Sequence, residues 1–162
     1  MKRVLFVGHG RHGKDTACEE LSKATGWKNA GTTSLYLTPY VIKEYERLGM
    51  GHLRNDAYLH RHQNRELWRR VGDEIRQNDP ALLVKEALKV GPITGGCRGL
   101  PEIEAVRRES VVDLIVWVDA SKRLPPDPTV EFGPEVADLI LANNGTEAEF
   151  RYKIQRLGGA LL

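Results

Sequence analysis

Apolar runs and amphipathic stretches alternate along the chain. Val4 to Val7 form a continuous apolar run, which is typical of a central parallel strand buried on both faces. "GPITGG" predicts the end of a second core strand, and the run from Val111 to Val118 predicts a third. "VADLILANNG" indicates a last strand followed by a turn. The pattern therefore predicts several short core strands that lie far apart in the sequence.

Helical spacing of apolar residues separates these strands. Asp15 to Thr25 has a helical pattern directly after the first strand. A capping box of Thr146 and Glu149 predicts the start of a final helix that ends at Leu157. Further helices are predicted over Leu35 to Leu48, where Pro39 kinks or delays the start, over Gln63 to Gln77, and over "ALLVKEAL" and "PEIEAVRRE". This alternation predicts an α/β fold, a three-layer sandwich with a central parallel sheet.

Composition narrows the class of protein. With 162 residues, 41% of them hydrophobic and 28% charged, the chain is expected to form one globular domain over residues 1–162. No apolar run reaches the roughly 18 residues of a membrane helix, and we expect a cytoplasmic protein with no membrane contact. Cys18 and Cys97 are too few for a disulfide framework or a metal set, so we interpret them as small apolar residues.

A glycine-rich stretch joins the first strand to the first helix. Gly8, four further residues, Gly13 and Lys14 match the first part of the phosphate loop G-x-x-x-x-G-K-[ST]. Glycines let successive backbone N–H groups point at phosphate oxygens, while the helix start and Lys14 add positive charge. The residues predicted to bind ATP through this loop are Gly8, His9, Gly10, Arg11, His12, Gly13, Lys14, Asp15 and Thr16.

One position departs from the simple loop pattern. Asp15 stands where a Ser or Thr hydroxyl normally reaches magnesium, and Thr16 follows one place later. A carboxylate beside a triphosphate is repelled unless a cation lies between them, and Mg²⁺ accepts oxygen ligands. We therefore predict that Asp15 and Thr16 bind Mg²⁺ together with the phosphates. In the alternative interpretation, Asp15 only favours the dipole of the helix.

Arginine is unevenly distributed along the chain. The sequence has 15 Arg and nine Lys, and six of the arginines lie between Arg54 and Arg76. Guanidinium groups suit phosphate and carboxylate oxygens. The cluster could bind nucleic acid or a nucleotide phosphate, or form a solvated helix face with Glu66, Asp73 and Glu74. Charge alone does not choose among these.

The chain resembles a known enzyme family over most of its length. "GRHGKDT" resembles the loop of phage-type deoxynucleoside monophosphate kinases, within the adenylate-kinase-like group. "RHQNRELWRRVGDEIRQNDPALLVKEAL" is similar to the arginine-rich segment that binds the acceptor in those enzymes, and "ITGGCRGLPEIEAVRRE" to their strand that ends near an arginine. "WVDASKR" resembles the strand leading into the lid, and "ADLILANNGTEAEF" the last strand and its turn near the adenine.

The resemblance implies a P-loop kinase fold with an acceptor-binding segment at about 33–78 and a short lid at about 120–134. The implied reaction transfers the γ-phosphoryl group of ATP, with Mg²⁺, to a nucleoside monophosphate, deoxy in preference to ribo. The predicted catalytic residues are Lys14, Arg65, Arg98 and Arg123. The acceptor is assigned to Arg61, Arg65, Trp68 and Arg98, and the ATP outside the loop to Arg123, Asn144 and Gly145.

Other functions share the same loop. A kinase could act on a polynucleotide 5′ end, a modified DNA base or dephospho-coenzyme A. A nucleotide-binding switch or assembly protein could instead use the arginine segment to bind DNA or a partner. The expected partners are small nucleotides, with nucleic acid a less favoured alternative, and the protein is expected to be a monomer or a homodimer, phage-encoded and located in the host cytoplasm.

Overall fold

The computed structural model describes residues 1–162 and contains one central sheet. Its five strands are β1 (Val4–Val7), β2 (Asn29–Thr32), β3 (Ile93–Gly95), β4 (Leu114–Asp119) and β5 (Leu139–Ala142). They lie in the order β2-β3-β1-β4-β5, and every neighbouring pair is parallel. The carboxyl ends of all the strands therefore meet at one edge of the sheet, where open α/β sheets bind ligands.

Six α-helices connect and cover these strands. They are α1 (Lys14–Thr25), α2 (Thr38–Arg47), α3 (Arg65–Asn78), α4 (Leu82–Val90), α5 (Leu100–Arg108) and α6 (Glu147–Leu161). Short 3₁₀ helices occupy Thr33–Leu37, Gly51–Leu53, Arg61–Asn64 and Pro134–Val136. None of the helices has both the length and the apolar character needed to cross a membrane.

Each face of the sheet has its own core, because successive residues of β1 point to opposite sides. Leu5 packs in a cluster with Ile103 of α5. Phe6 packs on the other side with Leu21 of α1 and Phe150 of α6. All five side chains are almost completely buried. Helices on both faces confirm the predicted α/β class and its parallel central sheet.

Residues 33–78 form a smaller unit with a third apolar cluster. Val41 and Tyr45 of α2 pack there against Trp68 and Val71 of α3. The indole N–H of Trp68 donates a hydrogen bond to the hydroxyl oxygen of Tyr45 at 3.2 Å. The cluster also includes Leu83 of α4, which joins this unit to the helices that cover the sheet.

One strand was missed by the sequence prediction. β2 is the edge strand beside β3, so "GPITGG" contains the third strand of the chain and not the second. The sequence of β2 is Asn-Ala-Gly-Thr, and only Ala30 is buried. A half-exposed edge strand needs no run of apolar residues, so the apolar pattern does not indicate it.

Most predicted helix boundaries were inexact by one or more residues, and three of them are informative. α2 begins at Thr38 and not at Leu35, because Pro39 has no N–H and is accommodated in the first turn, after the 3₁₀ helix. α3 begins at Arg65 and not at Gln63, because the residues before it, Arg61–Asn64, form a 3₁₀ helix. The capping box of Thr146 and Glu149 is confirmed, but α6 continues past Leu157 to Leu161.

Candidate functional site

The backbone of the loop between β1 and α1 makes a tight turn. Gly8 and Gly13 have positive φ angles of 145° and 108°, and Arg11 has one of 65°. A Cβ atom at Gly8 would lie 2.6 Å from the carbonyl oxygen of Val118, so no side chain fits there. The glycines that suggested a phosphate loop are thus required by the conformation of the backbone.

Lys14 lies within this curve. Its Nζ donates hydrogen bonds to the carbonyl oxygens of Gly8 and His9 at 2.9 and 2.7 Å. Burial lowers the pKa of Lys14, and the positive charge of Arg98 lowers it further. The loop therefore holds a desolvated ammonium group beside the start of α1, where the helix N–H groups add positive potential.

The two residues after Lys14 are accessible to solvent. Asp15 is exposed and Thr16 is partly exposed, both in the first turn of α1, and no side chain caps this helix. Together they offer one carboxylate and one hydroxyl oxygen, the donor types that Mg²⁺ combines with phosphate oxygens. No group of three or more His, Cys, Asp or Glu side chains is arranged to bind a metal ion.

His12 contributes to the loop through its backbone only. Its ring is fully buried, Nδ1 accepts a hydrogen bond from the backbone N–H of Ala120 at 3.0 Å, and Nε2 lies 3.2 Å from the carbonyl oxygen of Pro125. The ring is therefore neutral and protonated on Nε2, since only this tautomer satisfies both contacts. A direct contact of this ring with ATP, which the sequence allowed, is incompatible with its position.

The proline-rich segment after β4, predicted as the lid, lies against the loop. The backbone N–H of Asp127 donates to Nδ1 of His9 at 3.0 Å. A Cβ atom at Gly10 would lie 2.9 Å from Oδ2 of Asp127, so this carboxylate is close to the loop backbone. Burial would raise the pKa of Asp127, but hydrogen bonds from Thr129 and the charge of Arg98 outweigh it and lower the pKa.

Arg98 follows β3 and connects the proline-rich segment to the same region. Its Nη1 donates to Oδ2 of Asp127 at 3.2 Å and to the hydroxyl oxygen of Thr129. About 61% of its side chain is exposed, so the guanidinium retains free donors. Its predicted position, just past the carboxyl end of a strand, is confirmed.

The predicted acceptor arginines lie across from the loop. Arg61 donates to the carbonyl oxygen of Tyr58 at 2.9 Å, and its guanidinium carbon lies 4.0 Å from the centre of the Tyr58 ring. Arg65 is exposed and forms no ion pair, and the same holds for Arg69, which was not predicted to bind the acceptor. Arg70 of the same helix instead binds Glu44 at 2.9 Å. Arg65 and Arg69 therefore carry uncompensated positive charge.

A single cleft of about 410 Å³ is lined both by the glycine loop with Lys14 and by the predicted acceptor residues. The predicted residues that line it are Gly8, Gly10, Lys14, Arg61, Arg65, Trp68 and Arg98. A wider depression of about 620 Å³ lies elsewhere, but only side chains of α3 line it, so it is the open surface of one helix.

The other predicted ATP-binding residues lie outside this cleft. Arg123 donates from Nε and Nη2 to the carbonyl oxygen of Asn143, at 2.9 and 2.8 Å. Asn144 accepts from the backbone N–H of Lys122 and donates to Asp119. The amide of Asn143 in turn donates to the carbonyl oxygen of His12 at 2.9 Å. Arg123 and the turn that contains Asn144 and Gly145 are thus adjacent to the loop, on a different side from the arginine cleft.

Four charged residues at the cleft were missed by the sequence prediction. They are Arg69, Arg76, Glu102 and Asp127. Arg76 belongs to the noted arginine cluster, but its spacing did not distinguish it from paired surface arginines. Glu102 lies four residues after Arg98 in the first turn of α5, where a carboxylate is also explained by the helix dipole. Asp127 lies in an irregular loop, whose contacts have no periodic signal in the sequence.

Comparisons with known proteins add nothing to this picture. No protein-family model matches the sequence, and no curated protein matches it. The site is therefore interpreted from its own residues.

Proposed function

We propose that the chain is a P-loop kinase that transfers the γ-phosphoryl group of ATP to a nucleoside monophosphate. One observation carries the proposal. The glycine loop with Lys14 and the unpaired arginines of the 33–78 segment line the same cleft. A reaction between two polyanions requires both to be held close together while their repulsion is offset, and this cleft has cationic groups on both sides.

The loop and α1 form the side assigned to ATP. Backbone N–H groups of the loop and the start of α1 are directed donors for phosphate oxygens, and Lys14 is a point charge beside them. The adenine is assigned to the region of Arg123, Asn144 and Gly145, which lies next to the loop. Asp15 and Thr16 would hold Mg²⁺, which when bound shields the charge on the phosphates.

The arginines form the side assigned to the acceptor. Arg61, Arg65 and Arg98 can donate to the phosphate of a monophosphate, and Trp68 lines the same cleft. An oxygen of that phosphate attacks the γ-phosphorus while the bond from this phosphorus to the β–γ bridging oxygen breaks, and ADP leaves. An ionised phosphate is already a nucleophile, so the transfer needs no general base. The preference for deoxynucleotides rests on the family resemblance.

A coupled assay of ADP release tests the proposal across the ribo- and deoxynucleoside monophosphates. We expect Mg²⁺-dependent turnover, and a loss of at least about 100-fold in kcat for Lys14→Ala, because a directed charge on the transferred group is removed. Lys28→Ala, which changes an exposed lysine just after α1, is the matched control and should leave turnover unchanged.

Absence of turnover with every monophosphate would overturn the proposal. Turnover restricted to oligonucleotide 5′ ends would instead assign the arginines to a polynucleotide acceptor. Salt-sensitive DNA binding without phosphoryl transfer would favour a non-enzymatic nucleotide-binding protein.

A further inference from the structure

The cleft contains a buried charged pair that phosphate binding does not use. Glu102 is 3% exposed, and its Oε2 lies 3.0 Å from Nε of Arg76. Its other oxygen, Oε1, is buried and has no hydrogen-bond partner of good geometry, and Nε of Arg76 has no well-aligned acceptor. Burial raises the pKa of Glu102, although the charge of Arg76, the thiol of Cys97 and the backbone N–H of Arg98 oppose this shift. A carboxylate that is incompletely satisfied is costly to bury, and Glu102 lines the cleft, so a ligand with two adjacent donors would lower this cost.

The packing around Arg76 keeps its terminal amino groups accessible. A Cβ atom at Gly72 would lie 2.8 Å from Nη1 of Arg76, so the glycine provides the space in which this guanidinium lies. Nη1 is 3.8 Å from Oδ1 of Asp73, beyond hydrogen-bonding distance, and 33% of the Arg76 side chain is exposed. The guanidinium group of Arg76 therefore has free N–H donors on the side that faces the cleft.

The neighbouring walls suit a flat aromatic group. Leu37 and Trp68 line the same cleft and are 5% and 6% exposed. Leu37 also lies next to Gly72, the residue against which Arg76 packs. Cys97 and Arg98 connect Glu102 along the chain to the phosphate-binding groups. A nucleotide with its phosphate at the arginines can thus direct its base to Arg76 and Glu102.

We propose that Arg76 and Glu102 select guanine as the base of the acceptor nucleotide. Guanine presents two adjacent donors, N1–H and the 2-amino group, beside the acceptor O6. Glu102 accepts from the two donors and Arg76 donates to O6, so both charges are satisfied. Adenine and cytosine present a ring-nitrogen lone pair beside a single amino group, and thymine has one N–H between two carbonyl oxygens. The inference rests on the proposed function, because it assigns the base of the same acceptor.

The base profile of the kinase tests this assignment. We expect kcat/KM for dGMP to exceed those for dAMP, dCMP and dTMP by at least about 100-fold, because the wrong base leaves buried polar groups unpaired. Deoxyinosine monophosphate, which lacks only the 2-amino group, should lose about tenfold relative to dGMP.

Glu102→Gln separates base selection from a structural role. We expect kcat/KM for dGMP to fall by about 100-fold, because the amide cannot accept from both donors, while the low value for dTMP stays within about twofold. A general defect in folding would lower both values equally. Glu104→Gln is the matched control, since Glu104 is exposed on the same helix, and thermal unfolding of both variants checks the fold.

Equal turnover of all bases, or a preference for dCMP, would overturn the guanine assignment and leave the kinase proposal intact. Calorimetric titration with the four monophosphates separates the two ideas where no transfer occurs. Selective binding of dGMP without transfer would contradict the kinase proposal and support the base assignment. Absence of selective binding would overturn the base assignment as well.

Discussion

At the scale of single residues, the cleft separates arginines that are free from arginines that are paired. Arg70 binds Glu44 at 2.9 Å, and Arg47 binds the same carboxylate, whose pKa is lowered to about 2 by both guanidinium groups. Arg65 and Arg69 have no such partner and line the cleft. The unpaired side chains are the ones available to an anionic ligand, so the proposed binding depends on the position of each arginine more than on the total charge of the helix.

Arg65→Ala is expected to raise KM for the acceptor by about 10- to 100-fold with a smaller change in kcat, because a charged contact to the bound phosphate is lost. Steady-state kinetics with the acceptor varied at saturating ATP measure this. Arg70→Ala is the control, since Arg70 points away from the cleft, and should leave KM unchanged. Unchanged KM and kcat in Arg65→Ala would contradict the acceptor assignment.

At the scale of elements, the loop and the lid segment form one connected unit. His9 and His12 of the loop bind Asp127, Ala120 and Pro125 of the segment that follows β4. The loop was predictable, because its glycines and lysine have a spacing that phosphate binding requires. The contacts of the loop with the proline-rich segment were not predictable. A buried histidine and an irregular segment far away in the sequence have no common periodic pattern of residues that would indicate the contact.

Asp127→Asn is expected to tighten binding of Mg²⁺-free ADP by several-fold, because a negative charge beside the loop repels phosphate. The amide keeps the size of the side chain and the contacts with Thr129. Calorimetric titration at low and high salt measures the effect, which should shrink as salt screens the charge. Asp73→Asn, at an exposed position of α3, should bind as the unchanged protein does. Weaker binding by Asp127→Asn would mean that the carboxylate assists the nucleotide.

The contact of α6 with α1 explains why α6 continues beyond its predicted last residue, Leu157. Gly158 is buried, and a Cβ atom there would lie 2.8 Å from Cβ of Ala24. The sequence pattern suggested an end before this glycine, because glycine usually weakens a helix. Here the close approach of α1 and α6 requires a glycine at position 158. The sequence alone does not show this contact, because it depends on how the two helices pack.

Gly158→Ala is therefore expected to lower the free energy of unfolding by about 1–3 kcal/mol through overpacking. Gly159→Ala should raise it by about 0.5 kcal/mol, because the added methyl meets nothing within 4 Å and favours the helix. Urea denaturation of both variants compares two neighbouring glycines of one helix. Equal effects of the two changes would contradict the packing argument.

At the scale of the whole molecule, the two ends of the parallel strands differ in their contacts. The carboxyl edge carries the glycine loop, Arg98 and the proline-rich segment, while the amino edge is stabilised by contacts such as that of Arg3 with Asp113. The sequence predicted the α/β class, four of the five strands and four of the six Lys and Arg side chains that line the cleft. It did not predict the edge strand or the buried pair of Arg76 and Glu102, because both depend on neighbours far away in the sequence.

Low pH should lower the stability that the Arg3–Asp113 ion pair contributes at the amino edge of the sheet. Arg3 holds the pKa of Asp113 at about 2, below its usual range. A depressed carboxyl pKa contributes stability above the unfolded value of about 4, and this contribution is lost as pH falls through about 2. Asp113→Asn should therefore cost about 0.5–1 kcal/mol at pH 7, since the pair is partly exposed. The cost should vanish near pH 2, which thermal unfolding across pH can measure; a cost independent of pH would contradict the ion pair.

The buried imidazole of His12 also provides a natural spectroscopic reporter. Its Nε2–H is shielded from water and directed at Pro125, so this proton should exchange slowly and give a resolved downfield line in the NMR spectrum. Nucleotides that leave the proline-rich segment in place would shift the line, and those that displace it from His12 would broaden the line beyond detection. A single proton thus tests, without any label, whether this segment acts as the predicted lid.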